Sequence, residues 1–158
     1  TQYITRSGQF INIELEGKYL RRPISVSDYD EQTITIIYKV VGSGTDQMSH
    51  LAVGTQLDIL TGLGNGFNTD NLAQRPLLVG GGVGVPPLYN LCKRLLAEGK
   101  HPTVILGFNT QSEIFYEDEF KALGWRAVVI TVLVIATTYY GAAIVAHIVL
   151  VLTGVPAV

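Results

Sequence analysis

The residues here whose types and spacing could do chemistry are glycines and arginines rather than acid–base pairs. Residues 76–99 read PLLVGGGVGVPPLYNLCKRLLAEG, with glycine at 80, 81, 82 and 84. Leu77–Val79 form an apolar run before the glycines, and Leu88, Leu91, Leu95 and Leu96 follow Pro86 and Pro87 at helical spacing. The pattern predicts a strand, a glycine turn and a helix over 86–98, with the prolines in the first helical turn and Gly99 ending it. The backbone N–H groups of such a turn, with the positive end of the helix dipole, suit an anion such as a nucleotide phosphate. A P-loop is excluded, because no Lys followed by Ser or Thr succeeds the glycines. The dinucleotide pattern G-x-G-x-x-G also fails, since its third glycine falls on Val85 or Pro87. Taken alone, the glycines equally suit a tight turn and close packing of helix on sheet.

Other chemistries find little support. The single cysteine, Cys92, excludes a disulfide framework or a multi-cysteine metal site within these residues, and its place in the Leu91–Leu96 helix predicts a buried, inert thiol. His50, His101 and His147 are far apart and show no ligand spacing, so no metal site is expected. The net charge of −2 provides no basic field for nucleic acid.

The elements that must position the glycine turn fall into two styles. Residues 9–15 alternate as a half-buried strand, Gly17 and Lys18 supply a turn, and 33–41 (TITIIYKVV) are strongly strand-like. Gly42–Thr45 reads as a loop, 46–51 as a short helix capped by Thr45, and 56–60 as a strand running into TGLGNGF. Short strands and little helix predict a small all-β unit over 1–70. From 71 onward the style alternates: strand 77–79, helix 86–98, strand 103–108 and a helix over roughly 112–123. That order predicts a parallel-sheet α/β domain over 71–158, with 68–74 as the boundary and the ligand beyond the carboxyl ends of the strands. After Arg126 no Asp, Glu, Lys or Arg occurs, which raises a membrane span, but VVITVLVI at 128–135 has strand composition and Thr137–Gly141 interrupts the run.

With RRPIS, TITIIYKVVGSGT, LGNGF and LLVGGGVGVPPLY in this order, the chain resembles the electron-transfer subunits of class B dihydroorotate dehydrogenases, members of the ferredoxin reductase superfamily. The resemblance spans Gly8–Gly124 and implies that 1–70 form a small antiparallel FAD-binding β-barrel, followed by a parallel-sheet, nucleotide-binding α/β domain over 71–158. It implies that Arg22, Pro23, Ile24 and Ser25 form the flavin motif, with Arg22 at the FAD pyrophosphate and Ser25 beside the flavin ring. A guanidinium suits phosphate bidentately. It further implies FAD contacts at Ile37, Tyr38 and Lys39 and a phosphate-covering loop at Gly44 and Thr45. Gly81, Gly82, Val83 and Gly84 would approach the nicotinamide nucleotide.

By the same resemblance the function is that of a flavoprotein subunit carrying electrons from dihydroorotate oxidation, through a [2Fe-2S] cluster and FAD, to NAD in pyrimidine biosynthesis. Its partner would be an FMN-containing catalytic subunit in a heterotetramer, in the cytoplasm, with no nucleic acid and no membrane. The family's four cluster cysteines have no counterpart here, its charged, glycine-rich segment is replaced by TTYYGAAIV at 137–145, where only Tyr140-Gly141 matches, and its first barrel strands are expected before Thr1. Two other readings stand beside this one. One is a ferredoxin–NAD(P) reductase-like subunit with a different partner; the other is a non-catalytic nucleotide-binding or membrane-anchored module.

Overall fold

The computed structural model describes residues 2–124, 128–137 and 145–151, the last two stretches as strand backbone. The chain divides into two units, Thr1–Thr69 with Pro86–Leu91, and Asp70–Val85 with Cys92–Val158. Where a single cut was expected, the start of the helix after the glycine turn thus groups with the first unit.

The first unit is built on an antiparallel sheet of β1 (Phe10–Ile13), β2 (Arg22–Tyr29), β3 (Ile34–Ile36) and β4 (Ile59–Leu63), in the order β3-β2-β1-β4. Alternation puts Ile11, Ile13 and Leu15 on one face, where they are buried with Ile4, Val26 and Met48. Met48 comes from the short helix α1 (Ser43–Ser49), so this helix is fastened to the sheet through its last turn. Burying side chains of this kind stabilises by about 1.5–3 kcal/mol each.

Three local expectations shift. The 33–41 strand is ladder-paired only over Ile34–Ile36. Helix α1 begins at Ser43, earlier than expected, and Thr45 caps it from inside its first turn, accepting from the N–H of Gly42, which holds the N-cap position expected for Thr45. The strand expected at 56–60 sits at Ile59–Leu63, because its partner β1 sets the register as Ile13↔Ile59, Asn12↔Leu60 and Phe10↔Leu63. The irregularity in that ladder contains Gly62, whose φ of +70° a side-chain-bearing residue rarely adopts.

In the second unit, β5 (Leu77–Gly81), β6 (Thr103–Phe108) and β7 (Val128–Thr137) are parallel. Strand β8 (Val145–Val151) closes the order β5-β6-β7-β8 antiparallel to β7, so the sheet is mixed rather than wholly parallel. The expected strand at 128–135 is part of β7, and residues 128–137 and 145–151 form strands, not a membrane helix. Tyr140-Gly141 lies outside the described residues. Among the described residues no helix is long and apolar enough to cross a membrane. Helix α2 runs from Pro86 to Ala97, and Gly99 follows its end at φ +78°.

The helix expected over 112–123 is broken into a 3-10 turn at Gln111–Glu113 and helix α3 (Glu117–Ala122), with Tyr116 at φ +62° between them. Phe115 meets Phe108 edge-on at 5.4 Å, and Phe120 is fully buried. Five residues of continuous helix would rotate those two rings about 140° apart. The break lets both be used.

Candidate cofactor-binding site

Adjacent arginines, Arg21 just before β2 and Arg22 at its first position, do different work. Arg21 donates to Asp58 Oδ1 at 2.7 Å and to Glu14, and the Asp58 hydrogen bond leads the influences that push its guanidinium pKa up. It is consumed by structure. Arg22 instead points at α1: a Cβ added to Gly44 would lie 2.0 Å from Arg22 Nε and 2.8 Å from its Nη2. The guanidinium therefore lies against the bare Cα of Gly44, and Arg22 Nη1 donates to Leu20 O at 2.6 Å.

Around it the chain is already ordered. Thr45 Oγ1 accepts from the N–H groups of Val41 (3.0 Å) and Gly42 (3.2 Å), and Asp46 N–H donates to Gly42 O at 2.9 Å. The N–H groups of Ser43, Gly44 and Thr45 precede that first intrahelical bond, and groups in this position seek an acceptor outside the helix. A fixed guanidinium beside such donors can hold a phosphate oxygen. Arg22 and the adjacent pair Gly44 and Thr45, far from it in sequence, are thus brought together.

The rest of the motif splits by strand parity. Ile24 packs against the apolar core on the Arg22 side, whereas Pro23 and Ser25 alternate to the opposite face, paired across β1 with Asn12 and Phe10. Pro23 is tolerated because Arg22–Ser25 pair only with β1; the ladder to β3 begins at Val26. On the Ser25 face Asn12 Oδ1 is buried with no hydrogen-bond partner. A buried orphan acceptor costs on the order of 1–3 kcal/mol, so a donor from a ligand on this face would be welcome there. Nothing in the alternation of residues 9–15 singled out Asn12. Ile37, Tyr38 and Lys39 lie past the end of β3; Tyr38 packs on the core cluster and Lys39 is exposed. LGNGF is structural: Gly64 and Gly66 take positive φ, and Cβ atoms at Gly66 and Gly8 would meet Arg6 and Phe67 at 2.6 Å.

In the second unit, Gly81 ends β5 level with Gly107 on β6, and Gly82–Gly84 form a 3-10 turn. All four residues 81–84 are exposed. Gly82 needs glycine for its φ of +49°, but Gly84 has ordinary φ and nothing within 4 Å of an added Cβ, and Gly81 would meet only Gly107 O at 3.7 Å. Neither conformation nor packing in this chain requires glycine at 81 or 84. A ligand lying on the bare backbone would.

The expected anion site at the head of α2 is weaker than the sequence implied. Val85 N–H is spent on Gly82 O at 3.1 Å, and Pro86 and Pro87 carry no N–H. The turn favours an uncharged or flat ligand surface over a phosphate. Behind it, Cys92 is fully buried and its thiol is pushed up to about 11 by that burial, in keeping with an inert role. Among the described residues no His, Cys, Asp and Glu group is placed to hold a metal ion.

No family model matches the sequence. Over 124 residues it is 48% identical to the dihydroorotate dehydrogenase B (NAD(+)) electron transfer subunit of Fusobacterium nucleatum, covering 74% of this chain and 48% of that protein. Over 130 residues it is 42% identical to the same subunit of Shouchella clausii, covering 78% of this chain and 50% of that one. The chain therefore spans about half the length of the curated relatives it matches. Among solved structures, an NADH-dependent reduced ferredoxin–NADP oxidoreductase described for flavin-based electron bifurcation superposes with a TM-score of 0.70 at 35% identity, covering 80% of this chain and 46% of that one. A ferredoxin–NADP+ reductase from Plasmodium falciparum gives 0.64 at 19% identity over 82% of this chain and 57% of that one, a likeness of fold. The expected architecture, a small antiparallel β-barrel followed by an α/β domain, is that of these reductases.

Proposed function

We propose, for a chain related in sequence to the electron transfer subunits of dihydroorotate dehydrogenase B, that it is a flavoprotein component passing electrons between a partner and NAD. FAD, when bound, supplies the two-electron to one-electron exchange that joins hydride chemistry to single-electron carriers. The observation that carries the reading is Arg22 seated on Gly44 at the start of α1, a cradle that a Cβ would fill.

In this reading the first unit binds FAD. Arg22, with Gly44 and Thr45, holds the pyrophosphate, and Ser25, Pro23 and the orphan Asn12 oxygen face the flavin. Ile24, Ile37, Tyr38 and Lys39 line or support that seat. The second unit takes NAD, with Gly81, Gly82, Val83 and Gly84 giving the nicotinamide end close access to backbone. The residues bind and orient; hydride transfer needs no general acid or base from the chain, and positioning supplies the catalysis.

The iron–sulfur cluster of the class does not fit these residues, since one buried cysteine is not a ligand set. The partner in this reading is an FMN-containing catalytic subunit that oxidises dihydroorotate, in a heterotetramer in the cytoplasm.

A second reading, a reductase subunit with another partner, is favoured by the 35% identity to the ferredoxin–NADP oxidoreductase. The deciding experiment is a visible spectrum before and after anaerobic NADH. Flavin bands that bleach support the proposal, and a protein that neither carries nor takes up flavin refutes it. Co-purification with the dihydroorotate-oxidising subunit, against reduction of added ferredoxin, separates the two partners.

A further inference from the structure

We infer that Asn90 is a positioning residue for the glycine turn: its amide locks the start of α2 onto Ser7 and Asp28, and so fixes the turn that receives the nicotinamide nucleotide. The inference rests on the nucleotide reading of that turn.

Asn90 is only 6% exposed, in the second turn of α2. Its Oδ1 accepts from Ser7 Oγ at 2.5 Å, and its Nδ2 donates to Asp28 Oδ1 at 2.8 Å. Asparagine is a poor helix-interior residue, because its amide competes for backbone groups. An apolar side chain would fill a buried helical position at less cost, so the amide is there for its directional bonds. Two bonds pulling toward two different segments resist rotation of the helix about its axis. A third contact works alongside them, since the fully buried Ser27 donates through Oγ to Pro86 O at 3.2 Å.

The anchors are themselves fixed. Phe67 N–H donates to Ser7 O at 2.8 Å, and Gln9 Oε1 accepts from the N–H groups of Thr5 (2.8 Å) and Arg6 (3.0 Å). Asp28 belongs to β2. The turn, by contrast, is exposed from 81 to 84 and has open space around Gly82 and Gly84. It takes its position from the elements on either side, and Asn90 sets the one that follows.

The test measures anaerobic NADH reduction of the FAD-loaded chain by stopped flow in wild type, Asn90→Ala, Ser7→Ala and the double variant. Asn90→Ala should raise the half-saturating NADH concentration about tenfold, with the flavin spectrum and FAD retention unchanged. Ser7→Ala should raise it about threefold, and the double variant should be no worse than Asn90→Ala, because Ser7 acts through Asn90. An unchanged half-saturation in Asn90→Ala, or single losses that multiply in the double variant, overturns the inference. Should Asn90→Ala fail to fold, Ser7→Ala decides alone, and an unchanged value there overturns it. Wild-type flavin that NADH does not reduce overturns the nucleotide reading itself, and the inference with it.

Discussion

The Arg22 guanidinium occupies the space that a side chain on Gly44 would need, with Nε 2.0 Å from where that Cβ would stand. Gly44→Ala is therefore a clean probe of the cradle. Alanine suits a helix better than glycine by about 0.5–1 kcal/mol, and the atoms displaced are the far end of a long side chain, held only by its exposed bond to Leu20 O. The variant should keep or slightly raise its thermal midpoint while FAD affinity falls about tenfold. An affinity equal to wild type, read by fluorescence of released flavin, would remove Arg22 from the site.

Arg22→Ala deletes the charge itself. Losing a charged hydrogen-bond donor to phosphate costs on the order of 1.5–3 kcal/mol, roughly a ten- to hundredfold weaker FAD Kd. Arg21→Ala should leave Kd near wild type and lower stability only slightly, since its bonds run to exposed Glu14 and Asp58. Equal effects at both positions would contradict the division of labour between them.

Gly84→Val is the steric test of the nucleotide turn. Valine at 82 would strain a left-handed residue, whereas position 84 has ordinary backbone and empty surroundings. Flavin content and melting temperature should stay as in wild type while the half-saturating NADH concentration rises at least tenfold. If NADH reduces the variant's flavin normally, the nucleotide binds elsewhere.

The buried thiol predicts a pH dependence. Cys92 is raised from 9.0 to about 11 in the folded chain, so folding favours its protonated form. The unfolded thiol ionises first as pH rises. The stability it contributes is complete below pH 9 and declines between 9 and about 11, by up to about 3 kcal/mol. Urea midpoints at pH 8 and pH 10.5 should separate more in wild type than in Cys92→Ala. Parallel declines would place the pH sensitivity elsewhere.

How legible the chain was depended on whether a feature was local. The strand, glycine turn and helix around 76–99 were readable because periodicity, proline position and the terminal glycine all act within a few residues, and α2 ends within one residue of expectation. Strand β4 was misplaced by three residues because its register belongs to β1, a partner far away in sequence. The break before α3 follows from where Phe115 and Phe120 must point, which helical spacing alone does not contain. Arg22 and Gly44 were each chosen by motif, yet their contact appeared only in three dimensions. Asn12 and Asn90 gave no signal, since an isolated asparagine in a strand or helix looks like a surface residue until its neighbours are known.

The parity of β2 has a consequence for how this protein tolerates change. Arg21 and Arg22 sit side by side, one spent on carboxylates and one offered to a ligand, and only the pairing Ile13↔Arg22 decides which is which. A slip of one residue between β1 and β2 would exchange their tasks, placing Arg21 over Gly44 and turning Ser25 toward the core. An insertion in the Gly17–Leu20 turn that shifts the strand by an odd number of residues should thus abolish cofactor binding and also turn Ile24 and Val26 out of the core, lowering stability, whereas an even shift preserves the facing. The hairpin acts as a counting device, and the property it protects is the side of the sheet on which a single positive charge emerges.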